Sequence, residues 1–250
     1  MQRPVPQNIN VLWTGGWDST YRVIQLVRLG KSVNPHYLVD PYRDSTKFEI
    51  DTINKISDIL NKRYGGLIKK VKIFDSKKLD IDQGMQRYYE EILEIGYLGS
   101  QYLQLATYCK KFEIKDLDLC IHKDDKAYDY VHEFIEETED GICYLSENAP
   151  ERISAIFKYF RFPVLDMTKL EMEDDAKIWH DEDIMEMTWF CHQPFFGKSC
   201  GSCNPCMYTI DEGLSRRFSK VALIRYKLKL RLLKLPTILK IAHFIKYRLL

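Results

Sequence analysis

Apolar and polar positions alternate along the first half of this chain in two different rhythms. The run Asn10-Val11-Leu12-Trp13 reads as a short buried strand, broken at Gly15 and Gly16. Asp18, Ser19 and Thr20 then offer helix-capping side chains, and Val23, Ile24, Leu26 and Val27 carry a helix towards a stop at Gly30. Residues 32–39 read as a second strand. Phe48, Ile50, Ile53, Ile56, Ile59 and Leu60 recur at helical spacing until Gly65 and Gly66 end the run. A third strand is expected at 68–74, a helix at 98–112 and a buried strand at 117–121. Strands alternating with helices predict an α/β fold, with a parallel sheet covered by helices on both faces. Beyond about residue 140 the pattern reads as mainly helical.

Ligands of such sheets bind beyond the carboxyl ends of the strands. The segment Trp13-Thr14-Gly15-Gly16-Trp17-Asp18-Ser19-Thr20 falls at that end of the first strand. Small residues between a strand and a helix leave backbone N–H groups free to surround an anion, and the helix start adds partial positive charge. Gly15 and Gly16 allow close approach of the backbone to phosphate. Asp18 would repel bare phosphate, so its expected place is on Mg²⁺ or at the helix cap. The GxxxxGK[ST] pattern is absent, which argues against a switch GTPase or a motor ATPase.

Four of the seven cysteines fall within sixteen residues, as Cys191-x8-Cys200-x2-Cys203-x2-Cys206. Four thiolates are the number a closed tetrahedral zinc site needs, and such a site is structural because it leaves no open position. An iron–sulfur cluster is the competing occupant. Clustered cysteines and the lack of an apolar leader lead us to expect a cytoplasmic protein with a metal knuckle rather than a disulfide framework.

Two blocks carry a family resemblance. The segment Thr14 to Ser19 resembles the SGGxDS loop of the PP-loop (N-type) ATP pyrophosphatases, with Thr14 in place of Ser. Pro163-Val164-Leu165-Asp166-Met167-Thr168-Lys169-Leu170-Glu171 resembles their later PLxxLxKxE segment. The cysteine spacing, shortly after that block and preceded by Met187-Thr188-Trp189-Phe190, is similar to that of the 7-cyano-7-deazaguanine synthases. The resemblance implies an adenine nucleotide alpha hydrolase-like, Rossmann-like fold with a zinc-bearing helical part. It implies that Asp18 and Lys169 are catalytic and that Trp13 to Thr20 bind ATP with Mg²⁺. ATP would be cleaved between its α and β phosphates, an acceptor carboxylate adenylated, and the AMP displaced by ammonia. In those synthases the acceptor is 7-carboxy-7-deazaguanine, a precursor in queuosine biosynthesis.

The acceptor half departs from that family. Of a Tyr-Gly-Gln-Arg-His segment and a later Glu, only Tyr42 and Glu49 remain; a Pro-Gly-Arg-Asn element becomes Leu98-Gly99-Ser100-Gln101; and Glu-Thr-Asp becomes Lys123-Asp124-Asp125. Tyr42, Glu49 and Asp125 are the acceptor-binding candidates. Other acceptors for a divergent paralogue are a sugar-precursor carboxylate, another heterocycle or a protein group. Rival readings are a PP-loop tRNA-modifying sulfurtransferase, with Cys109, Cys120 and Cys143 as candidate thiols, and a non-catalytic ATP-binding scaffold.

Charge divides the chain more sharply than composition does. Residues 213–250 hold eleven Lys and Arg and no acid, so the net +1 less those eleven cations leaves −10 for residues 1–212. We therefore expect an ATP-binding α/β domain at 1–140, a mainly helical part with the knuckle at 141–212, and a basic amphipathic tail at 213–250. Past Pro236, the residues Ile238, Ile241, Ala242, Ile245 and Leu249 share one helical face. Candidate partners for the tail are the acidic body of this chain, a partner subunit such as a second copy in a homodimer, the inner face of a membrane, and nucleic acid.

Overall fold

A computed structural model describes residues 8–138 and 141–233. It divides into two compact units, one of residues 8–42 with Thr46–Trp189, the other of Arg43–Ser45 with residues 190–233.

The first unit runs β1 (Asn8–Leu12), α1 (Trp17–Arg28), β2 (Ser32–Val39), α2 (Thr46–Tyr64), β3 (Lys72–Asp75), α3 (Gln83–Ile95), α4 (Gln101–Lys111) and β4 (Leu117–Asp118). It continues with α5 (Tyr128–Val131), β5 (Ile135–Glu137), β6 (Cys143–Leu145), α6 (Glu151–Phe157), β7 (Phe160–Phe162), α7 (Lys169–Trp179) and α8 (Glu182–Glu186). Seven strands form one sheet in the order β3-β2-β1-β4-β7-β6-β5. The pairings from β3 to β7 are parallel, while β6 runs antiparallel to both of its neighbours. The α/β expectation holds.

Two local expectations change. The third strand starts later than residue 68, because only Ile68 bridges to Val33 before pairing resumes at Lys72. The stretch beyond residue 140 supplies β6 and β7 as well as helices. Three-residue strands interrupted by turns show too little period-2 alternation to be seen in the sequence.

The order of connections positions the site. From β1 to β2 to β3 the chain steps one way across the sheet, with α1 and α2 as crossovers. It then returns past β1 to β4, with α3 and α4 in the connection. Right-handed crossovers that step in opposite directions lie on opposite faces. Accordingly α1 packs with α2, α7 and α8, and α3, α4 and α6 pack among themselves over the main apolar cluster. The crevice where the direction reverses opens at the carboxyl ends of β1 and β4.

Buried charges fasten α1 in place. Asp118 on β4 is fully buried and accepts from Arg22 Nε of α1 and Arg161 Nε of β7, each at 2.8 Å. An ion cluster of this kind compensates its desolvation through several charge-assisted hydrogen bonds, and losing one partner strands the rest. The start of α1 is thereby held against the end of β4.

In the second unit, α9 (Asn204–Thr209) and α10 (Lys220–Leu233) flank a π-helical turn at Ile210–Leu214. The expected face beyond Pro236 lies outside the described residues.

Candidate active site and metal centre

The loop after β1 is built to leave a helix start open. Gly16 caps α1 with extended backbone and no side-chain cap bond, and the first helical bond runs from the Thr20 N–H to the Gly16 carbonyl at 3.1 Å. The N–H groups of Trp17, Asp18 and Ser19 precede that bond and have no partner within the helix. Gly15 sits at φ +72°, and a Cβ there would stand 3.1 Å from the carbonyl oxygen of Glu49 on α2. Any other residue here would be strained in backbone conformation and would crowd that carbonyl. The Gly15 carbonyl accepts from the Trp189 N–H at 2.8 Å, and Phe48 stacks on the Trp189 ring at 4.7 Å, which braces the loop from α2.

The eight loop residues differ in what they contact. Trp13 is fully buried and donates its indole N–H to Thr20 Oγ1 at 3.0 Å, so this pair stiffens the turn. The hydroxyls of Thr14 and Ser19 face each other at 3.4 Å. Asp18 keeps a quarter of its side chain exposed, yet its Oδ1 is out of contact with solvent and has no hydrogen-bond partner among the described residues. An orphaned carboxylate oxygen is costly unless something cationic meets it. It fits Mg²⁺, a hard cation that takes oxygen ligands beside phosphate.

Lys169 is the first residue of α7, and its carbonyl accepts the Trp17 indole N–H at 3.2 Å. Residues 152 positions apart are thus joined at the mouth of the loop. Further along, the Tyr21 hydroxyl donates to Asp175 at 2.6 Å and the Tyr21 ring stacks on Trp179, so α1 and α7 pack side by side. Glu171 has a local task. Thr168 and Glu171 form a capping box that opens α7, and the Thr168 backbone N–H followed by its hydroxyl holds the Glu171 carboxyl below its usual range.

Sequence reasoning missed His122. It follows the buried Leu119 and Ile121 beyond β4, is itself buried, and places Nε2 4.0 Å from Asp18 Oδ1. Its Nδ1 accepts from the Asp124 N–H at 3.1 Å, which directs the ring proton to Nε2 and towards Asp18. The available signal was a polar ring at the carboxyl end of a buried strand, where ligands of this fold bind. One residue on, the Lys123 N–H donates to the Met167 carbonyl at 3.1 Å, tying this segment to the one that carries Lys169.

The three acceptor candidates stand in different surroundings. Tyr42 is 91% exposed in the turn after β2. Glu49, in the first turn of α2, is buried and accepts from the Tyr37 hydroxyl at 2.7 Å. Asp125 accepts from the Ala127 N–H at 2.8 Å and from the Tyr102 hydroxyl at 3.4 Å.

The remaining thiols are poor nucleophiles. Burial pushes Cys109 up to about 12 and Cys143 up to about 11, and burial followed by the charge of Asp118 drives Cys120 up as well. A thiol held protonated neither attacks nor binds metal.

Within the second unit, Cys191, Cys200, Cys203 and Cys206 are all buried, with their sulfurs within 4.8 Å of one another. Cys200 and Cys206 are 3.8 Å apart, and Cys191 and Cys203 are 4.0 Å apart. A tetrahedral ion with metal–sulfur bonds of about 2.3 Å sets its ligands roughly 3.8 Å apart, so the spacing fits one zinc ion. A multi-iron cluster, being wider than one ion, needs its thiolates spread further. The Cys200 N–H donates to Cys191 Sγ at 3.2 Å, and the Ser202 and Cys203 N–H groups donate to Cys200 Sγ at 3.3 and 3.2 Å. Such donors stabilise sulfur as thiolate. Gly201 makes the turn possible at φ +77°, where a Cβ would lie 2.1 Å from the carbonyl oxygen of Ala222 on α10.

No protein-family model and no curated protein matches the sequence. Among solved structures, NMN synthetase from Francisella tularensis is similar over 91% of this chain and 85% of its own, at 12% identity and a TM-score of 0.37. That likeness is too slight to carry function.

Proposed function

We propose that this protein is an ATP-dependent enzyme of the PP-loop type that transfers AMP to an acceptor carboxylate. Ammonia then displaces the AMP to give an amide; where the product is a nitrile, a second ATP is consumed to activate the amide oxygen as leaving group. The observation that carries this reading is the Trp17–Lys169 hydrogen bond, which unites the two sequence blocks that resemble that superfamily. The N–H groups of the first turn of α1 and the Thr14 and Ser19 hydroxyls are donors of the kind suited to phosphate. Asp18 would hold Mg²⁺ through its buried oxygen, and the ion would supply charge neutralisation on the phosphates. Lys169, at the edge of the loop, is the cation suited to the charge that develops as pyrophosphate departs. Most of the rate gain would come from positioning and fixed charge. The proposed acceptor is 7-carboxy-7-deazaguanine or a related heterocyclic carboxylate, and the proposed occupant of the four cysteines is structural zinc. The raised thiol pKa values of Cys109, Cys120 and Cys143 weigh against the sulfurtransferase alternative.

The test is to incubate zinc-loaded protein with ATP, Mg²⁺, ammonium and 7-carboxy-7-deazaguanine, and to follow products by mass spectrometry. AMP, pyrophosphate and the amide or nitrile are expected. ADP and phosphate in place of AMP and pyrophosphate would overturn the bond assignment. AMP without a deazaguanine product would overturn the acceptor alone.

A further inference from the structure

Helix α10 is apolar on two sides, and only one of them is covered. Ala222 is 1% exposed, and its carbonyl lies against Gly201 of the cysteine knuckle. Lys229 on the same side donates to the Ser202 carbonyl. A neighbouring side, centred about 120° round the helix from Ala222, shows Val221, Ile224, Leu228 and Leu232 at 51–57% exposure. At 100° per residue these four fall within an arc of about 80° and form a continuous stripe. A helix that is hydrophobic all round is normally buried all round. This one is not.

The cations of α10 border that stripe. On the helical projection Lys220, Lys227 and Arg231 lie along one edge, and Arg225 and Lys229 lie along the other. No acidic residue occurs anywhere in residues 213–250. A second apolar element stands beside it. Phe195 and Lys198 close a tight turn through Phe196, at φ +49°, and Gly197. Phe196 at the tip is 90% exposed, and the Arg225 guanidinium stacks 3.8 Å over the Phe195 ring. The turn and the stripe therefore belong to one surface of the second unit.

We infer that this surface lies on an anionic lipid bilayer, with the α10 stripe and Phe196 entering the headgroup–acyl boundary and the bordering cations meeting lipid phosphates. An apolar stripe edged by cations on both sides matches a lipid interface, where apolar side chains sink and charges stay at headgroup level. Nucleic acid would use the cations but leave the stripe in water. A second copy of the same surface would bring like-charged borders together. The four stripe residues and an aromatic tip supply burial, and each cation near an anionic surface adds attraction.

The test uses the full-length zinc-loaded chain and vesicles of phosphatidylcholine with or without about a third phosphatidylglycerol. Co-sedimentation is expected with the anionic vesicles and not with the neutral ones, weakening as salt is raised. Because residues 234–250 are also basic and apolar, the decisive variants lie in the described surface. Phe196→Ser and Leu228→Asn should each lower partitioning roughly tenfold, since each removes a large buried apolar group. Zinc content and thermal melting should stay at wild-type values, which separates lost binding from lost folding. A Phe196→Trp variant should gain emission that brominated lipids quench. Three results would overturn the proposal: no sedimentation with anionic vesicles at low salt, sedimentation unchanged by both variants, or a dimer in solution that Leu228→Asn dissociates.

Discussion

Asp18 has an orphaned carboxylate oxygen, and Lys169 is held at its backbone by Trp17. If Lys169 stabilises departing pyrophosphate, Lys169→Ala should lower kcat for AMP formation by about 10²–10³ and leave KM for ATP nearly unchanged. Trp17→Phe is a subtler change. It keeps the ring in its buried site but removes the N–H that holds the Lys169 carbonyl, a bond worth about 1 kcal/mol. Steady-state kinetics should show Trp17→Phe reducing kcat severalfold, with Lys169→Ala in that background costing no more than Lys169→Ala alone. Fully additive losses would mean that Trp17 does not act through Lys169.

At the scale of elements, the cysteine knuckle and α10 depend on each other through one glycine. Gly201→Ala would force a Cβ into the Ala222 carbonyl and strain a left-handed backbone, in a place where neither partner is a flexible side chain. The expected result is loss of bound zinc by metal analysis and a lowered melting temperature. Chelation of the wild-type protein should give the same melting temperature as the variant, because metal binding and folding of such a knuckle are one equilibrium. The first unit has its own fastening in the Asp118 cluster, so its far-ultraviolet signal should persist through chelation.

For the whole molecule, acid stability is set in part by a buried histidine. His36 on β2 is buried, with Nδ1 2.9 Å from the Tyr108 hydroxyl and Nε2 3.2 Å from Asn10 Oδ1. Burial, then the charge of Lys72, lowers its pKa to about 4 from an ordinary 6.5. The unfolded chain therefore takes up a proton that the native chain refuses. Stability is intact above pH 6.5 and falls between pH 6.5 and 4, by about 3 kcal/mol at most. Urea unfolding at pH 7.5 and pH 4.5 should show this loss in the wild type. His36→Gln, which cannot titrate, should show a distinctly smaller one.

Much of this was legible because the signals are local. The strand–loop–helix at residues 10–30, the bounds of β2, the loop glycines and the four cysteines each follow from spacing and residue type within a short window, where backbone geometry leaves few alternatives. The resemblance of two separated blocks, together with the Cys spacing, was likewise available from the chain alone. What sequence could not supply was adjacency. That Trp17 bonds to Lys169, that His122 faces Asp18 and that β6 and β7 complete the sheet depend on which strand lies beside which, and residues 152 positions apart carry no mark of being neighbours. Burial was equally out of reach. It assigned Glu49 and Asp125 their hydrogen bonds to nearby groups and left the α10 stripe exposed, because a side chain's surroundings are fixed by packing and not by its own identity.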